Sequence, residues 1–251
     1  MDKYGLIGYP LGHSFSVNYF NQKFADEGIN AKYINFEIPS VEMLIEVISA
    51  NPDLKGLNVT IPYKEKVIEY LDKLSPEARA IGAVNVIRIV REGDKVRLEG
   101  YNSDVFGFTQ SIEPMLEKHH TKALVLGTGG ASKAVCYGLK SLGLETVCVS
   151  RYERPGTICY RDITPDVVHE YTVIINCTPV GMYPKADQCP LLPYEALSEQ
   201  NILYDLIYNP NETLFMRRGA EHGAQVKNGL EMLLLQAFKA WEMWNPLKIE
   251  H

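Results

Sequence analysis

The sequence contains no apolar stretch that approaches the roughly 20 residues needed to span a bilayer. Its first residues, Met-Asp-Lys-Tyr-Gly-Leu-Ile-Gly, lack the longer apolar core of a secretory signal peptide. A long basic tract is also missing, and 25 basic against 31 acidic residues give a net charge of −6. These absences predict a cytoplasmic protein that binds neither membranes nor nucleic acid.

Cysteine is sparse and scattered along the chain. No CxxC pair occurs among the five cysteines, which are Cys136, Cys148, Cys159, Cys177 and Cys189. Without closely spaced ligands a zinc site is not expected, and an odd number of thiols cannot complete a disulfide framework. We therefore predict no metal site, and thiols that are reduced and mostly buried.

The 251 residues show two blocks in which strand and helix patterns alternate. The first block predicts strands at 3–8, 32–38 and 56–60, helices at 17–27, 41–50 and about 62–74, and a hairpin of 84–90 with 96–101. The second block predicts strands at 123–126, 146–149, 173–176, 202–207 and 224–226, and helices at 131–142, 212–221 and 230–244. Alternation of this kind favours mostly parallel sheets with covering helices. We predict two α/β domains, with a boundary near Asp104–Gly107.

A lysine follows the strand predicted at 56–60. Residues 55–66 read Lys-Gly-Leu-Asn-Val-Thr-Ile-Pro-Tyr-Lys-Glu-Lys, and Pro62 is typical of the first position of a helix. Lys64 would then lie in the first helical turn, where the macrodipole opposes a cation by roughly 0.3–1 kcal/mol. A lysine held there is a candidate proton-transfer group, and the alternative is an ordinary solvated lysine.

A glycine-rich loop opens the second block. Gly127-Thr128-Gly129-Gly130-Ala131 follows a predicted strand and begins a predicted helix, which is the context that gives a glycine pattern meaning. Small residues let the backbone approach a pyrophosphate, and the helix N-terminus offers N–H groups and partial positive charge. The third glycine of the usual pattern is Ser132, so the match is imperfect. The loop predicts dinucleotide binding, and the alternative is a tight structural turn.

The residues after the second strand of this block indicate which dinucleotide binds. NAD enzymes usually carry an acidic residue there, whereas this chain reads Ser150-Arg151-Tyr152, with Arg154 close behind. A guanidinium suits a 2′-phosphate, so we predict NADP rather than NAD. Glu153 and the short stretch 154–171, which leaves little room for a helix, keep NAD open.

The predicted hairpin places polar residues at its open end. If its turn centres near Gly93, residues whose numbers sum to 186 or 187 face each other, about 5 Å apart. Asn85 then lies opposite Tyr101 or Asn102, with Asp104 just beyond. Asp104 is also a candidate N-cap of the next helix, a role that is compatible with catalysis.

Two further segments offer ligand-binding groups. Ser14 and Ser16 precede the helix predicted from Val17, where hydroxyls bind a carboxylate or cap the helix. Gln236 lies on the apolar face of the last helix, where a buried amide requires partners from a ligand or from the backbone.

Taken together, these segments resemble the shikimate dehydrogenase family over nearly the whole chain. The resemblance rests on motifs in the family's order: Gly8-Tyr-Pro-Leu-Gly-His-Ser14-Phe-Ser16, Asn58-Val-Thr60-Ile-Pro-Tyr-Lys64, Gly82-Ala-Val-Asn85, Tyr101-Asn102-Ser-Asp104, Leu126-Gly-Thr-Gly-Gly130-Ala, Asn176-Cys-Thr178-Pro-Val-Gly181-Met182, Tyr204-Asp-Leu-Ile-Tyr208-Asn-Pro and Gly229-Leu-Glu-Met-Leu-Leu-Leu-Gln236.

The resemblance implies a fold of two α/β domains. A substrate domain would comprise 1–104 with 229–251, because the closing helix returns to the first domain, and a Rossmann-type NADP domain would comprise 105–228. A monomer, or at most a weak homodimer, is the family-level expectation.

The resemblance also implies reversible NADPH-dependent reduction of 3-dehydroshikimate to shikimate, in aromatic amino acid biosynthesis. Lys64 would donate the proton and Asp104 would position and balance it. The other substrate-binding residues would be Ser14, Ser16, Thr60, Asn85, Tyr208 and Gln236. The cofactor-binding residues would be Gly127, Thr128, Gly129, Gly130, Ala131, Ser150, Arg151, Thr178 and Gly229.

Three alternatives stay open. A quinate/shikimate dehydrogenase that uses NAD differs only in substrate and cofactor preference. A protein like methylene-tetrahydrofolate dehydrogenase shares the architecture, but the Ser14/Ser16 loop and Gln236 argue against it. A non-catalytic NADP-sensing module would bind cofactor without turnover, although the chain retains each proposed proton-handling group.

Overall fold

A computed structural model describes residues 1–12 and 15–246 of the chain. The chain forms two compact units, Met1–Ser103 together with the chain from Ala237 onward, and Asp104–Gln236. The first boundary between the units therefore follows Ser103, whereas the prediction placed it after Asp104. The second boundary follows Gln236, whereas the prediction placed it after residue 228.

The first unit is built on a mixed six-stranded sheet of order β2-β1-β3-β5-β6-β4. Strand β1 runs parallel to its neighbours β2 and β3, and β4 runs parallel to β6, whereas β3 with β5 and β5 with β6 are antiparallel. Its elements are β1 (Asp2–Gly8), α1 (Phe15–Asp26), β2 (Ala31–Glu37), α2 (Leu44–Ala50), β3 (Leu54–Val59), β4 (Lys73–Leu74), α3 (Pro76–Ile81), β5 (Val86–Glu92) and β6 (Lys95–Tyr101).

The second unit has six parallel strands in the order β12-β11-β10-β7-β8-β9, the arrangement of a Rossmann-type sheet. Its elements are α4 (Asp104–Ile112), β7 (Lys122–Leu126), α5 (Gly130–Ser141), β8 (Glu145–Ser150), β9 (Thr157–Cys159), α6 (Pro165–Glu170), β10 (Val173–Asn176), β11 (Ile202–Asp205), α7 (Leu214–Glu221), β12 (Gln225–Lys227) and α8 (Leu230–Trp244). The inner strands β7, β10 and β11 are mostly apolar because both faces of this sheet are covered.

The last helix, α8, has its predicted bounds, and its C-terminal part packs into the first unit as expected. Ala237, Ala240 and Trp244 join an aromatic cluster with Tyr4 and Phe20. The indole Nε1 of Trp244 donates a hydrogen bond of 3.0 Å to the carbonyl of Ile87.

Gly56 of β3 makes room for this indole. A side chain at position 56 would collide with the ring of Trp244. The glycine is therefore required by a close approach rather than by a turn.

The stretch 154–171, which was predicted to leave little room for a helix, contains only short elements. β9 has three residues and α6 has six, and Thr164 caps α6 through its hydroxyl, which accepts from the amide of Val167 at 3.4 Å. Both elements went unpredicted, as did β4 and α3.

Candidate active site

The segment that carries Lys64 differs from its prediction. The expected helix from Pro62 to about Leu74 is wrong, because only a 3-10 helix at Lys66–Tyr70 forms and β4 follows it. The carbonyl of Lys64 accepts from the amide of Val84 at 2.7 Å instead of from a residue of its own segment. Lys64, which is half-buried, thus precedes a helical turn instead of lying in one, and the macrodipole argument no longer applies.

Tyr63 fixes the lysine segment from inside. Its side chain is 3% exposed, and its hydroxyl donates a 2.6 Å hydrogen bond to the carbonyl of Ile38. Its amide donates to the carbonyl of Thr60 at 2.9 Å, which closes a turn directly after β3. Burial of this tyrosine holds Lys64 in place, without help from a helix.

The hairpin follows the predicted register. Val86 pairs with Tyr101 and Glu92 with Lys95, so facing numbers sum to 187. The side-chain amide of Asn85 donates to the hydroxyl of Ser103 at 3.0 Å, and its Oδ1 accepts from the Ser103 amide at 2.7 Å. The prediction that Asn85 lies at the open end of the hairpin is confirmed.

Asn102 lies at the same end of the hairpin, but its side chain binds a backbone carbonyl. It is fully buried, and its amide donates to the carbonyl of Ala83 at 3.0 Å. Thr60 follows Val59, whose amide binds the carbonyl of Asn85 at 2.9 Å. Thr60 and Asn85 are therefore on neighbouring chain segments of the first unit.

A chain of hydrogen bonds through Tyr33 and Asn58 connects Ser16 with Asn85. The Tyr33 hydroxyl donates to Oδ1 of Asn58 at 2.8 Å, and Asn58 donates to the carbonyl of Asn85 at 3.3 Å. Ser16, in the first turn of α1, hydrogen-bonds the Tyr33 hydroxyl, whose pKa burial raises. Ser14 lies outside the described residues. The roles of Tyr33 and Asn58 went unpredicted, although Asn58 was visible as a polar residue in an apolar strand.

Asp104 and Gln236 both belong to the second unit. Asp104 is the first residue of α4 and is 6% exposed. Gln236, half-buried on α8, donates to the carbonyl of Leu233 in its own helix at 2.9 Å. Gly107 lets α4 approach α8, because a Cβ there would meet the Met232 carbonyl at 2.5 Å.

The glycine loop connects β7 to α5 as predicted. Gly127 has a φ of +114°, a conformation that favours glycine, and its amide donates to the carbonyl of Val149 at 2.9 Å. Gly129 is the N-cap of α5 and has open space where a Cβ would be. Ser132 replaces the third glycine without loss of fit, because its hydroxyl donates to the Gly129 carbonyl at 2.6 Å. The first amides of α5 are thus presented to a ligand.

Basic side chains surround the end of β8. Arg154 donates to the hydroxyl of Thr128 in the glycine loop at 3.3 Å, and the exposed Arg151 lies over the ring of Tyr152. Glu153, the acidic residue that kept NAD open, forms an exposed ion pair with Arg161.

A buried carboxylate organises the loops after β10 and β11. Asp205 is 0% exposed and accepts from the Asn176 side chain at 3.0 Å, the Ile207 amide at 3.0 Å and the Thr213 hydroxyl at 2.7 Å. Burial raises the pKa of Asp205 to about 6, against these three hydrogen bonds, which lower it. This network was not predicted as part of the site.

Asn176 extends the network to Thr178. Its Oδ1 accepts from both the amide and the hydroxyl of Thr178, at 3.0 and 2.7 Å. The methyl of Thr178 would lie 3.3 Å from a Cβ on Gly127, so the two loops adjoin. Thr178 is therefore held beside the glycine loop.

Two predicted residues flank the loop after β11. Tyr208 is 36% exposed, and partial burial raises its pKa. Gly229 donates to the Ile207 carbonyl at 3.0 Å, and a side chain at position 229 would collide with the Leu206 carbonyl. Gly229 is thus required by a close backbone approach.

The described residues include no group of three or more His, Cys, Asp or Glu arranged to hold a metal ion. Over the same ranges, no helix has the length and apolar character to cross a membrane. Of the cysteines, only Cys159 is buried and the other four are half-buried. The prediction of mostly buried thiols is wrong, because helix α5 and the loops leave these thiols only partly covered.

Comparisons with known proteins identify similar chains. Residues 6–87 match the family model of the shikimate dehydrogenase substrate binding domain. The chain is 36% identical to the shikimate dehydrogenase (NADP(+)) of Carboxydothermus hydrogenoformans over 98% of its length and 93% of the relative's. It is 39% identical to that of Halothermothrix orenii, over 98% of its length and 91% of the relative's.

Solved structures give the same result. A chorismate mutase/shikimate 5-dehydrogenase fusion protein from Clostridium acetobutylicum superposes with a TM-score of 0.85 at 38% identity, covering 100% of this chain and 93% of that one. Shikimate 5-dehydrogenase from Thermus thermophilus, in complex with NADP(H) and shikimate, has a TM-score of 0.85 at 30% identity, covering 98% and 94%.

Proposed function

The chain belongs to the shikimate dehydrogenase family, and we propose that it catalyses the reversible NADPH-dependent reduction of 3-dehydroshikimate to shikimate. The observation that carries this proposal is the similarity over more than nine-tenths of both chains to relatives named for this activity. The expected glycine loop and hairpin residues of that family are present with the local geometry described above.

NADP fits the second unit. The open space at Gly129, the first amides of α5 and the conformation of Gly127 suit a pyrophosphate. Arg151 and Arg154 supply guanidinium groups for a 2′-phosphate, and Thr178 lies beside the glycine loop for the nicotinamide side. The remaining proposed contacts come from Thr128, Gly130, Ala131, Ser150 and Gly229.

We assign the substrate to residues with fixed hydroxyl, amide and carboxylate groups. Ser14, Ser16 and Tyr208 would hold the carboxylate, and Thr60, Asn85, Asp104 and Gln236 would hold the ring hydroxyls and the reacting oxygen. Asn85 suits this task because Ser103 locks its side-chain amide in one orientation. A pre-oriented group binds without further loss of rotamer freedom.

When bound, NADPH would supply a hydride for the carbonyl carbon of 3-dehydroshikimate. Lys64 would donate a proton to the oxygen as that atom gains negative charge, and Asp104 would position and balance the ammonium group. In the reverse direction Lys64 accepts the proton of the shikimate hydroxyl. Lys64 lies in the first unit and Asp104 in the second, and their joint role is a proposal.

The test is to mix purified protein with shikimate and NADP⁺ and follow the absorbance of the reduced nicotinamide. We expect turnover that requires both compounds and is faster with NADP⁺ than with NAD⁺. Parallel reactions with quinate and with NAD⁺ separate the proposal from a quinate/shikimate dehydrogenase. Cofactor binding without turnover of either acid would contradict the enzyme and favour a sensing module. A cytoplasmic location and a monomeric state are further predictions, the second of which sedimentation would check.

A further inference from the structure

Two thiols of the second unit lie against each other outside the proposed contacts. Cys136 is on α5 and Cys148 is on β8, and their sulfur atoms are 3.4 Å apart. Both side chains line the same apolar cluster, because α5 covers the face of the sheet toward which Cys148 points. The two residues are distant enough along the chain that only the fold brings them together.

The pair has unequal chemistry. The hydrogen bond from Cys136 lowers the pKa of Cys148, and the charge of Lys140 acts in the same direction against burial. The same interaction and burial raise the pKa of Cys136. The thiolate of Cys148 is therefore stabilised by the proton that its neighbour keeps, and the thiolate is the nucleophilic form.

The neighbouring thiols contrast with this pair. Burial raises the pKa of Cys177 well above its ordinary value, so it stays protonated. Cys159 is buried on β9, and Cys189 lies in the loop before Tyr194. Cys136 and Cys148 are half-buried, as are Cys177 and Cys189, so a small oxidant has partial access to them, and the contact between their sulfur atoms is what distinguishes the pair.

We propose that Cys136 and Cys148 are a redox modification site, which hydrogen peroxide converts to an intramolecular disulfide. The Cys148 thiolate attacks the peroxide oxygen, the O–O bond breaks, and a sulfenic acid and hydroxide form. The sulfur of Cys136 then attacks the sulfenic sulfur, loses its proton to the departing oxygen, and water leaves. Two thiols thus give two electrons to one peroxide, and the hydrogen atoms of both thiols end in water.

The geometry requires only a small movement. A disulfide bond is about 2.05 Å long, so the sulfur atoms must approach by a little over an ångström, which side-chain rotation and a slight shift of α5 can supply. Because α5 begins at the glycine loop and β8 ends beside Arg151, the bond ties together the two elements that adjoin the proposed cofactor contacts. We expect the disulfide to weaken NADPH binding by displacing the first amides of α5, an expectation that rests on the proposed function.

The first experiment exposes the full chain to a small excess of hydrogen peroxide and measures its intact mass and free thiols. We expect a loss of about 2 Da, the loss of two of the five thiols, and full reversal by dithiothreitol. Proteolysis without reduction should yield one cross-linked peptide pair that contains Cys136 and Cys148. This mapping uses the unmodified sequence, so it does not depend on the folding of a variant.

Variants then assign the site. Cys136→Ser and Cys148→Ser should each abolish the mass loss. Cys189→Ser, which removes another half-buried thiol, should leave the mass loss intact. A cross-link to Cys177, or sulfinic acid on Cys148 without a cross-link, would overturn the proposal. So would five free thiols after a treatment that fully oxidises glutathione.

The dissociation constant of NADPH, measured before and after oxidation, tests the coupling. We expect it to rise in the wild type and to return on reduction, with no change in Cys136→Ser. A disulfide that forms without changing this constant would overturn the coupling and leave the proposed function intact. Failure of the reduced protein to bind NADPH at all would instead contradict the proposed function.

Discussion

The lysine segment of the first unit and the glycine loop of the second unit both follow a buried strand, yet they are shaped by different forces. The glycine loop is defined locally, by the conformation of Gly127 and by the start of α5. The lysine segment is defined by distant partners, since its backbone and side chains bond to Val84 and Ile38. A conformation that is set by neighbouring residues can be predicted from the sequence, whereas hydrogen bonds between distant residues cannot.

Substitution of Lys64 should impair the enzyme most. Lys64→Ala removes the proposed proton donor, so we expect kcat to fall by ~10²-fold or more while KM changes much less. Steady-state kinetics with shikimate and NADP⁺ checks this. Lys66→Ala is the matched control, because Lys66 is exposed and only two residues away, and it should retain nearly full activity.

The next effect concerns the buried carboxylate of the second unit. Because the pKa of Asp205 is about 6 in the folded state and 3.8 as the ordinary value, its protonation favours folding. The wild type therefore holds this stability below about pH 4 and loses it as pH rises through about 6. Asp205→Asn cannot ionise, and its amide can donate to the Thr213 hydroxyl. The free energy of unfolding of the variant, relative to wild type, should thus increase by roughly 2–3 kcal/mol between about pH 4 and pH 7.

Urea denaturation followed by circular dichroism measures this difference. Asp187→Asn, at an exposed aspartate, should show no comparable trend. A difference between Asp205→Asn and wild type that stays constant with pH would mean that Asp205 is not held in the environment described.

A third prediction tests the packing of α8 in the first unit. Gly56→Ala places a methyl group against the Trp244 ring, and such overpacking costs about 1–3 kcal/mol. Both tryptophans of the chain, Trp241 and Trp244, lie in this unit, so tryptophan fluorescence in urea reports its unfolding directly. Gly12→Ala, where a Cβ has open space, should behave like wild type. Equal midpoints for the two variants would refute the close approach.

The smallest effect sharpens the cofactor assignment. Arg151→Ala should raise the KM for NADPH by ~10-fold, the loss of one hydrogen bond to a charged group, and change that for NADH much less. Arg217→Ala removes an exposed arginine that pairs with Glu212 and serves as the control. Equal losses for both cofactors would mean that the 2′-phosphate is recognised elsewhere, with Arg154 the next residue to replace.

Much of the fold was predictable because it is written in local patterns. The hairpin register followed from the position of one turn, and the bounds of α8 followed from its apolar periodicity. The helix predicted from Pro62 failed because the Lys64 carbonyl bonds to Val84, a tertiary contact that overrides local preference. β9 and α6 were missed because elements of three and six residues carry almost no periodic signal.

The candidate site was predictable in its motifs but not in its supports. Ser132 was noted as an imperfect glycine match, yet its hydroxyl completes the loop. Asp205 and Asn176 stood in recognised motifs without an assigned role, because only the adjacency of parallel strands β10 and β11 brings them together. Residues that position others are therefore the part of a site that a single sequence conceals.

We propose that Lys64 and Asp104 serve one proton transfer, and a double-mutant cycle on kcat is the decisive test. Lys64→Ala, Asp104→Asn and the combined variant would be compared, with circular dichroism confirming that each is folded. If the two residues act as a unit, the kcat of the combined variant should be about equal to that of the more impaired single variant. Losses that multiply, as they do for independent residues, would contradict the account.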